Sequence, residues 1–131
     1  MPLVLGMQVD IRDGLRRCRF RGEVDDESLV DSLRRLWTDA GYDPNLPELY
    51  DFRGIHAGNV TTQGVRAVAR LNRELHPNTP PVRVAFVVDH DLGFGLSRMY
   101  QPYVHDDRGD NIRVFRDEAQ ALAWIRGTQP L

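Results

Sequence analysis

Two acids and a histidine, Asp89-His90-Asp91, close the stretch from Val82 to Val88, apolar apart from Arg83. Carboxylates beside an imidazole can hold a metal ion or pass a proton, and the C-terminal end of a buried strand is where open α/β sheets place ligands. The same residues also have a structural explanation. Asp91 stands directly before Leu92-Gly-Phe-Gly-Leu96, so it reads as the N-cap of a helix, and Asp89 stabilises the same positive dipole end. With two carboxylates at that terminus, Gly93 and Gly95 are poor candidates for cradling a phosphate; Gly95 reads instead as a point of close helix-to-sheet approach. His56 lies near Asp51 and Arg53, and His105 adjoins Asp106 and Asp107, but neither spacing matches a metal site or a nucleophile and its base. His76, before Pro77, reads as a helix-end histidine. Cys18 is the single cysteine; it falls in a strand-like run as a half-buried structural thiol, and alone it forms no intramolecular disulfide. No catalytic residue, metal site or cofactor is therefore expected. Asp51, Arg53, Asp91 and Arg98 remain as charges bordering apolar stretches, with Asp51 able to pair with either arginine.

The elements that must position these residues belong to one domain. A chain of 131 residues with 41% hydrophobic content is long enough for a single compact core. Seventeen basic against nineteen acidic residues leave a formal charge of −2, so no overall field favours nucleic acid or an anionic membrane surface. No run approaches the twenty or so apolar residues of a membrane span, and nothing resembles a signal peptide, so a cytoplasmic protein is expected. No repeat, linker or low-complexity tract divides residues 1–131.

Leu3 to Ile11 and Leu15 to Val24 read as strands joined by the hairpin dipeptide Asp13-Gly14. Asp25, Asp26 and Glu27 suit a helix start, and Leu29, Val30, Leu33, Leu36, Trp37 and Ala40 recur at helical spacing until Gly41. Leu49 to Arg53 forms a short strand, Gly54 to Asn59 a loop, and Thr61 or Thr62 caps a second helix with Val65, Val68, Ala69 and Leu75 inward. His76-Pro77 through Pro81 ends that helix. Val82 to Val88 lacks alternation and is expected as the central strand. Leu92, Leu96, Met99 and Tyr103 share a helical stripe, Ile112 to Phe115 is a last strand, and Asp117 caps a closing helix with Ala121, Leu122 and Ile125 inward. The expected architecture is α/β, a mixed sheet covered by helices in the order β-β-α-β-α-β-α-β-α.

Leu49-Tyr-Asp-Phe-Arg-Gly54, Arg83-Val-Ala-Phe-Val-Val-Asp89 with Gly93-Phe-Gly-Leu-Ser-Arg-Met-Tyr100, and Arg113-Val-Phe-Arg-Asp117 with Ala121-Leu-Ala-Trp124 together resemble the SpoIIAA-like branch of the STAS domains. The resemblance spans nearly the whole chain. It implies a small α/β module with a four- or five-stranded mixed sheet and a non-enzymatic, regulatory role in binding protein partners. In that family a serine at the start of the helix after the third strand is phosphorylated. The matching stretch here, Thr61-Thr-Gln-Gly-Val65, has neither that serine nor a preceding aspartate, so Thr62 is the nearest candidate hydroxyl for phosphorylation, and a simple cap is the competing explanation.

Two functional readings follow. The first is a STAS-like module that binds a protein partner or forms a homodimer through its third helix, where Phe94, Tyr100 and Tyr103 spread beyond one face, and the loop before its second helix. The second is a binder of a small apolar, lipid-like ligand, or a cryptic enzyme, with a pocket beside the third helix rimmed by Asp51, Arg53, Asp91 and Arg98.

Overall fold

A computed structural model describes residues 6–77, 82–100 and 111–127. β1 (Gly6–Arg12) and β2 (Leu15–Asp25) form the expected hairpin. Asp13 and Gly14 both take positive φ, 54° and 73°, the backbone that an Asp-Gly turn supplies between twisted strands. The predicted beginning of β1 at Leu3 lies outside the described residues.

α1 (Asp26–Thr38) starts in a capping box: the Asp25 carboxylate accepts from Ser28 N at 2.8 Å, and Ser28 Oγ accepts from Asp25 N at 3.0 Å. It ends at Thr38, before Ala40 and Gly41, because Asp39 turns to extended backbone and closes the last turn with its own N–H on Leu36 O. Ala40 is accordingly exposed rather than on the buried stripe.

β3 (Glu48–Asn59) is much longer than the predicted Leu49 to Arg53. Gly54 and Gly58 suggest a loop, yet the strand runs on because β2 offers eleven residues to pair with. Gly54 sits at a register shift, where a Cβ would come within 3.0 Å of Phe20 O; the glycine permits a close approach between strands instead of a turn. The remaining elements are α2 (Thr62–Leu75), β4 (Val84–Val87), α3 (Asp91–Tyr100), β5 (Ile112–Phe115) and α4 (Glu118–Ile125). Asp117 caps α4 by accepting from Ala119 N at 2.7 Å and Gln120 N at 3.2 Å.

Strands lie in the sheet in chain order, β1-β2-β3-β4-β5, with β1 antiparallel to β2 and all other neighbours parallel. β4 is interior and buried on both faces, as its unbroken apolar run requires, but the middle strand is β3. Every parallel crossover steps the same way across the sheet, so right-handedness places α1, α2 and α3 on one face. Their apolar stripes meet Cys18, Phe20, Tyr50 and Phe86 there. Among the described residues only α4 covers the other face, packing Ala121 and Trp124 on Leu49, Ala85 and Val87. α4 reaches β3, β4 and β5, which leaves Gln8, Asp10, Arg12, Arg17 and Arg19 to surface the β1–β2 half.

Candidate functional site

The entrance to α2 is the most constrained polar feature near the surface. Thr61, not Thr62, is the N-cap, its Oγ1 accepting from Gly64 N at 3.3 Å. The Asp26 carboxylate, from the first turn of α1, accepts from Thr61 N at 2.7 Å and from Thr61 Oγ1 at 2.5 Å. One acid thereby ties the start of α1 to the start of α2. Gly64 is required by this contact, since a Cβ would fall 2.0 Å from Asp26 Oδ1. Around the tie, His56, Gly58, Asn59, Thr62 and Gln63 are all exposed, and Thr62 is the first residue of α2.

Below the three helices, an apolar cavity of about 130 Å³ opens against the sheet, between residues such as Phe52, Ile55, Val65, Val68, Phe86 and Leu96. Its polar end is a closed network. Glu48 Oε2 accepts from Arg16 at 2.9 Å and from Tyr50 OH at 2.7 Å, and Oε1 accepts from Tyr42 OH at 3.0 Å. Tyr50 OH accepts in turn from Trp37 Nε1 at 3.0 Å, and Arg16 stacks on the Tyr42 ring with 4.0 Å to its centroid while donating to Asp43 O. Burial pushes the Glu48 carboxyl up, against the pull of its hydrogen bonds and of Arg16. Burial likewise raises Tyr42, Tyr50 and the Cys18 thiol, which is fully sealed from solvent rather than half-buried. The two tyrosine hydroxyls and the Cys18 thiol stay protonated, hydrogen-bonded or packed; none is a poised nucleophile. The alternation of β2 carried the signal for this network, because the register that turns Cys18 and Phe20 inward turns Arg16 inward too.

The predicted rim of that cavity divides between the two sheet faces. Asp51 and Arg53 lie on the α4 face, opposite the cavity, because they alternate with the inward Tyr50 and Phe52. There Asp51 accepts from Arg53 Nε at 2.9 Å, Arg53 NH2 at 2.8 Å and Arg53 N at 3.0 Å. Burial alone would raise the Asp51 pKa, but these bonds and the charges of Arg53 and Arg19 outweigh it and hold the carboxyl below its ordinary value. Glu118 adds looser contacts to Arg53 at 3.5 Å, Arg17 at 3.7 Å and Arg19 at 3.8 Å.

On α3, Asp91 is exposed and pairs with Arg116 at 2.7 Å instead of capping. The cap is His90, whose Nδ1 accepts from Gly93 N at 2.9 Å, and its ring packs so close that a Cβ on Gly93 would meet it at 2.5 Å. The close-approach glycine is thus Gly93, while Gly95 is exposed. Arg98 is also exposed. Tyr100, expected on a partner surface, is 8% exposed with its ring 5.6 Å from that of Phe86, so it belongs to the core. The Phe94 side chain and Tyr103 lie outside the described residues. Among the described residues no three His, Cys, Asp or Glu side chains gather as metal ligands, and no helix is long and apolar enough to cross a membrane.

No family model and no curated protein sequence matches the chain. Solved structures do. An uncharacterised protein from Shewanella loihica described as having a SpoIIAA-like fold superposes with a TM-score of 0.59 at 14% identity, covering 95% of this chain and 96% of its own. The chain has the SpoIIAA-like fold. An anti-sigma factor antagonist from Mycobacterium paratuberculosis gives a TM-score of 0.58 at 15% identity, over 93% and 94% of the two chains. The anti-sigma factor antagonist SpoIIAA in its unphosphorylated form gives 0.52 at 16%, over 95% of this chain and 100% of that one. The mixed five-stranded sheet and its helices are common ground with these proteins, as the sequence resemblance implies.

Proposed function

We propose that this protein is a non-enzymatic regulatory module of the cytoplasm that binds a protein partner or a second copy of itself, and that the surface for a protein partner is the β3-to-α2 entrance. The observation that carries this reading is the set of exposed residues Asn59, Thr61, Thr62 and Gln63, anchored by buried Val60 and by the Asp26 to Thr61 hydrogen bonds. Loops positioned by a scaffold in this way commonly carry functional residues, binding residues among them. The names of two similar structures, anti-sigma factor antagonists, denote action on another protein and support the same reading. Thr62 is the hydroxyl available to a kinase there, since Thr61 Oγ1 is engaged with Asp26 and Gly64. A photo-crosslinking residue in place of Gln63, expressed in the native host, is expected to yield a discrete protein adduct that the same residue at Arg113 does not. Identical adduct patterns from the two positions would count against this surface.

A second reading has its own observation, the apolar cavity beneath α1, α2 and α3. A dry apolar space near this size accommodates a benzene-sized molecule. Native mass spectrometry of protein purified from its host is expected to show a retained small molecule in this case; a bare chain whose melting temperature ignores added benzene rules it out.

A further inference from the structure

β1 is one margin of the sheet, and its outer side offers backbone and side chains together. Val9 and Ile11, at 42% and 54% exposure, are the large apolar side chains left most open among the described residues, and both stand on β1. The direction of the backbone follows from the hairpin. Arg16 N donates to Pro47 O at 3.0 Å, on the side of β3, so it points away from β1. Its register partner Ile11 therefore turns its own N–H and C=O outward, and the alternation of an antiparallel ladder does the same for Val9 and Met7. Natural edge strands are usually protected by a bulge, a proline, charged side chains or brevity; the charges of β1, Asp10 and Arg12, stand on the face opposite Val9 and Ile11. Over its described span β1 has seven residues, no proline, and an unbroken register with β2 from Gly6 to Arg12. The opposite margin, β5, has only four residues.

We propose that β1 pairs antiparallel with β1 of a second copy of this chain, joining two sheets across a twofold axis at Val9. Chemistry selects this register. Val9 then faces Val9 of the second copy, Met7 faces Ile11, and Gln8 faces Asp10, whose carboxylate accepts from the Gln8 amide. Apolar positions meet apolar ones on the helical face, and the outward backbone groups of Met7, Val9 and Ile11 all find partners. Centring on Asp10 would oppose two carboxylates, and centring on Ile11 would leave only the tip of the strand paired. The contact is isologous, so it closes at two copies instead of propagating. A single strand pair lies at the small end of specific interfaces, which makes the dimer reversible.

This inference rests on the self-association half of the reading above and does not involve the α2 entrance. Sedimentation equilibrium up to about 1 mM chain is expected to show a monomer–dimer equilibrium whose dissociation constant rises about tenfold or more in Val9→Lys, with an unchanged circular dichroism spectrum. In a Cys18→Ala background, which removes the thiol directly opposite position 9, Val9→Cys chains are expected to be joined by a short bifunctional thiol reagent while Arg113→Cys chains are not. The crosslink decides the matter if Val9→Lys fails to fold. A strictly monomeric wild type, or a dimer indifferent to Val9→Lys and crosslinked equally from Arg113→Cys, overturns the β1 pairing. Either result leaves the Gln63 crosslink to decide partner binding separately.

Discussion

Arg16 and Glu48 meet where β2 and β3 begin, each almost sealed from water, and the carboxylate satisfies two tyrosines as well as the guanidinium. Two charges taken out of water return little net stability, but removing one of them strands the other. Glu48→Leu should therefore cost about 3–5 kcal/mol in urea unfolding, and Arg16→Met combined with it should recover part of that loss. A double variant no more stable than Glu48→Leu alone would show that the pair is not coupled. Asp51 behaves differently, because its pKa is lowered on folding. Its carboxylate stabilises the fold fully above the unfolded-state pKa, and that contribution is lost as pH falls through the folded one. Asp51→Asn should lower stability by about 1 kcal/mol at pH 7 and flatten the acid loss below about pH 5. Thermal melts of both proteins across that range would reveal an unflattened slope if Arg53 does not hold Asp51 as described.

At the scale of elements, the Asp26 bridge couples two helix starts that are 35 residues apart in sequence. Gly64→Ala should destabilise the protein by about 1–3 kcal/mol, and the cost should shrink in an Asp26→Ala background, where the clashing carboxylate is gone. Additive losses in denaturant unfolding would sever that link. The element types and their order were legible because their signals are local: Asp13-Gly14 for the hairpin, Asp25 and Asp117 for helix starts, and the unbroken apolar run for β4. β3 was not, because Gly54 and Gly58 are read locally as turn residues, while a long neighbouring strand decides their conformation. The site was less legible for the same reason. Asp51 and Arg53 were visible as a pair, but which face they occupy depends on the strand register. The Asp26 to Thr61 tie joins two segments with no periodic relation, and the burial of Tyr100 escapes the sequence because a helical stripe does not show how deep its edge residues lie.

For the whole molecule, the two faces of the sheet are unequal. Three helices enclose an imperfectly filled core on one side, and one short helix closes a smaller core on the other. Whatever part of that space excludes water is eliminated on unfolding, and it contributes to the volume decrease that pressure favours. Val68→Ile, which adds a methylene toward the cavity, should reduce the magnitude of the unfolding volume measured by high-pressure fluorescence of Trp37 and raise stability by about 1 kcal/mol. An unchanged volume would place the void elsewhere. The match between strand order and chain order has a consequence for biosynthesis. Every strand pairs with the one translated just before it, so the sheet can grow by accretion at one margin as the chain leaves the ribosome. Once Asn59 has emerged, β1, β2, α1 and β3 are all available, and the waiting flank of β3 stays open for about a few seconds until Val84 to Val87 arrive. Translation speed between Asn59 and Val84 thus sets how long a growing chain presents an unfinished sheet to its neighbours on the same messenger.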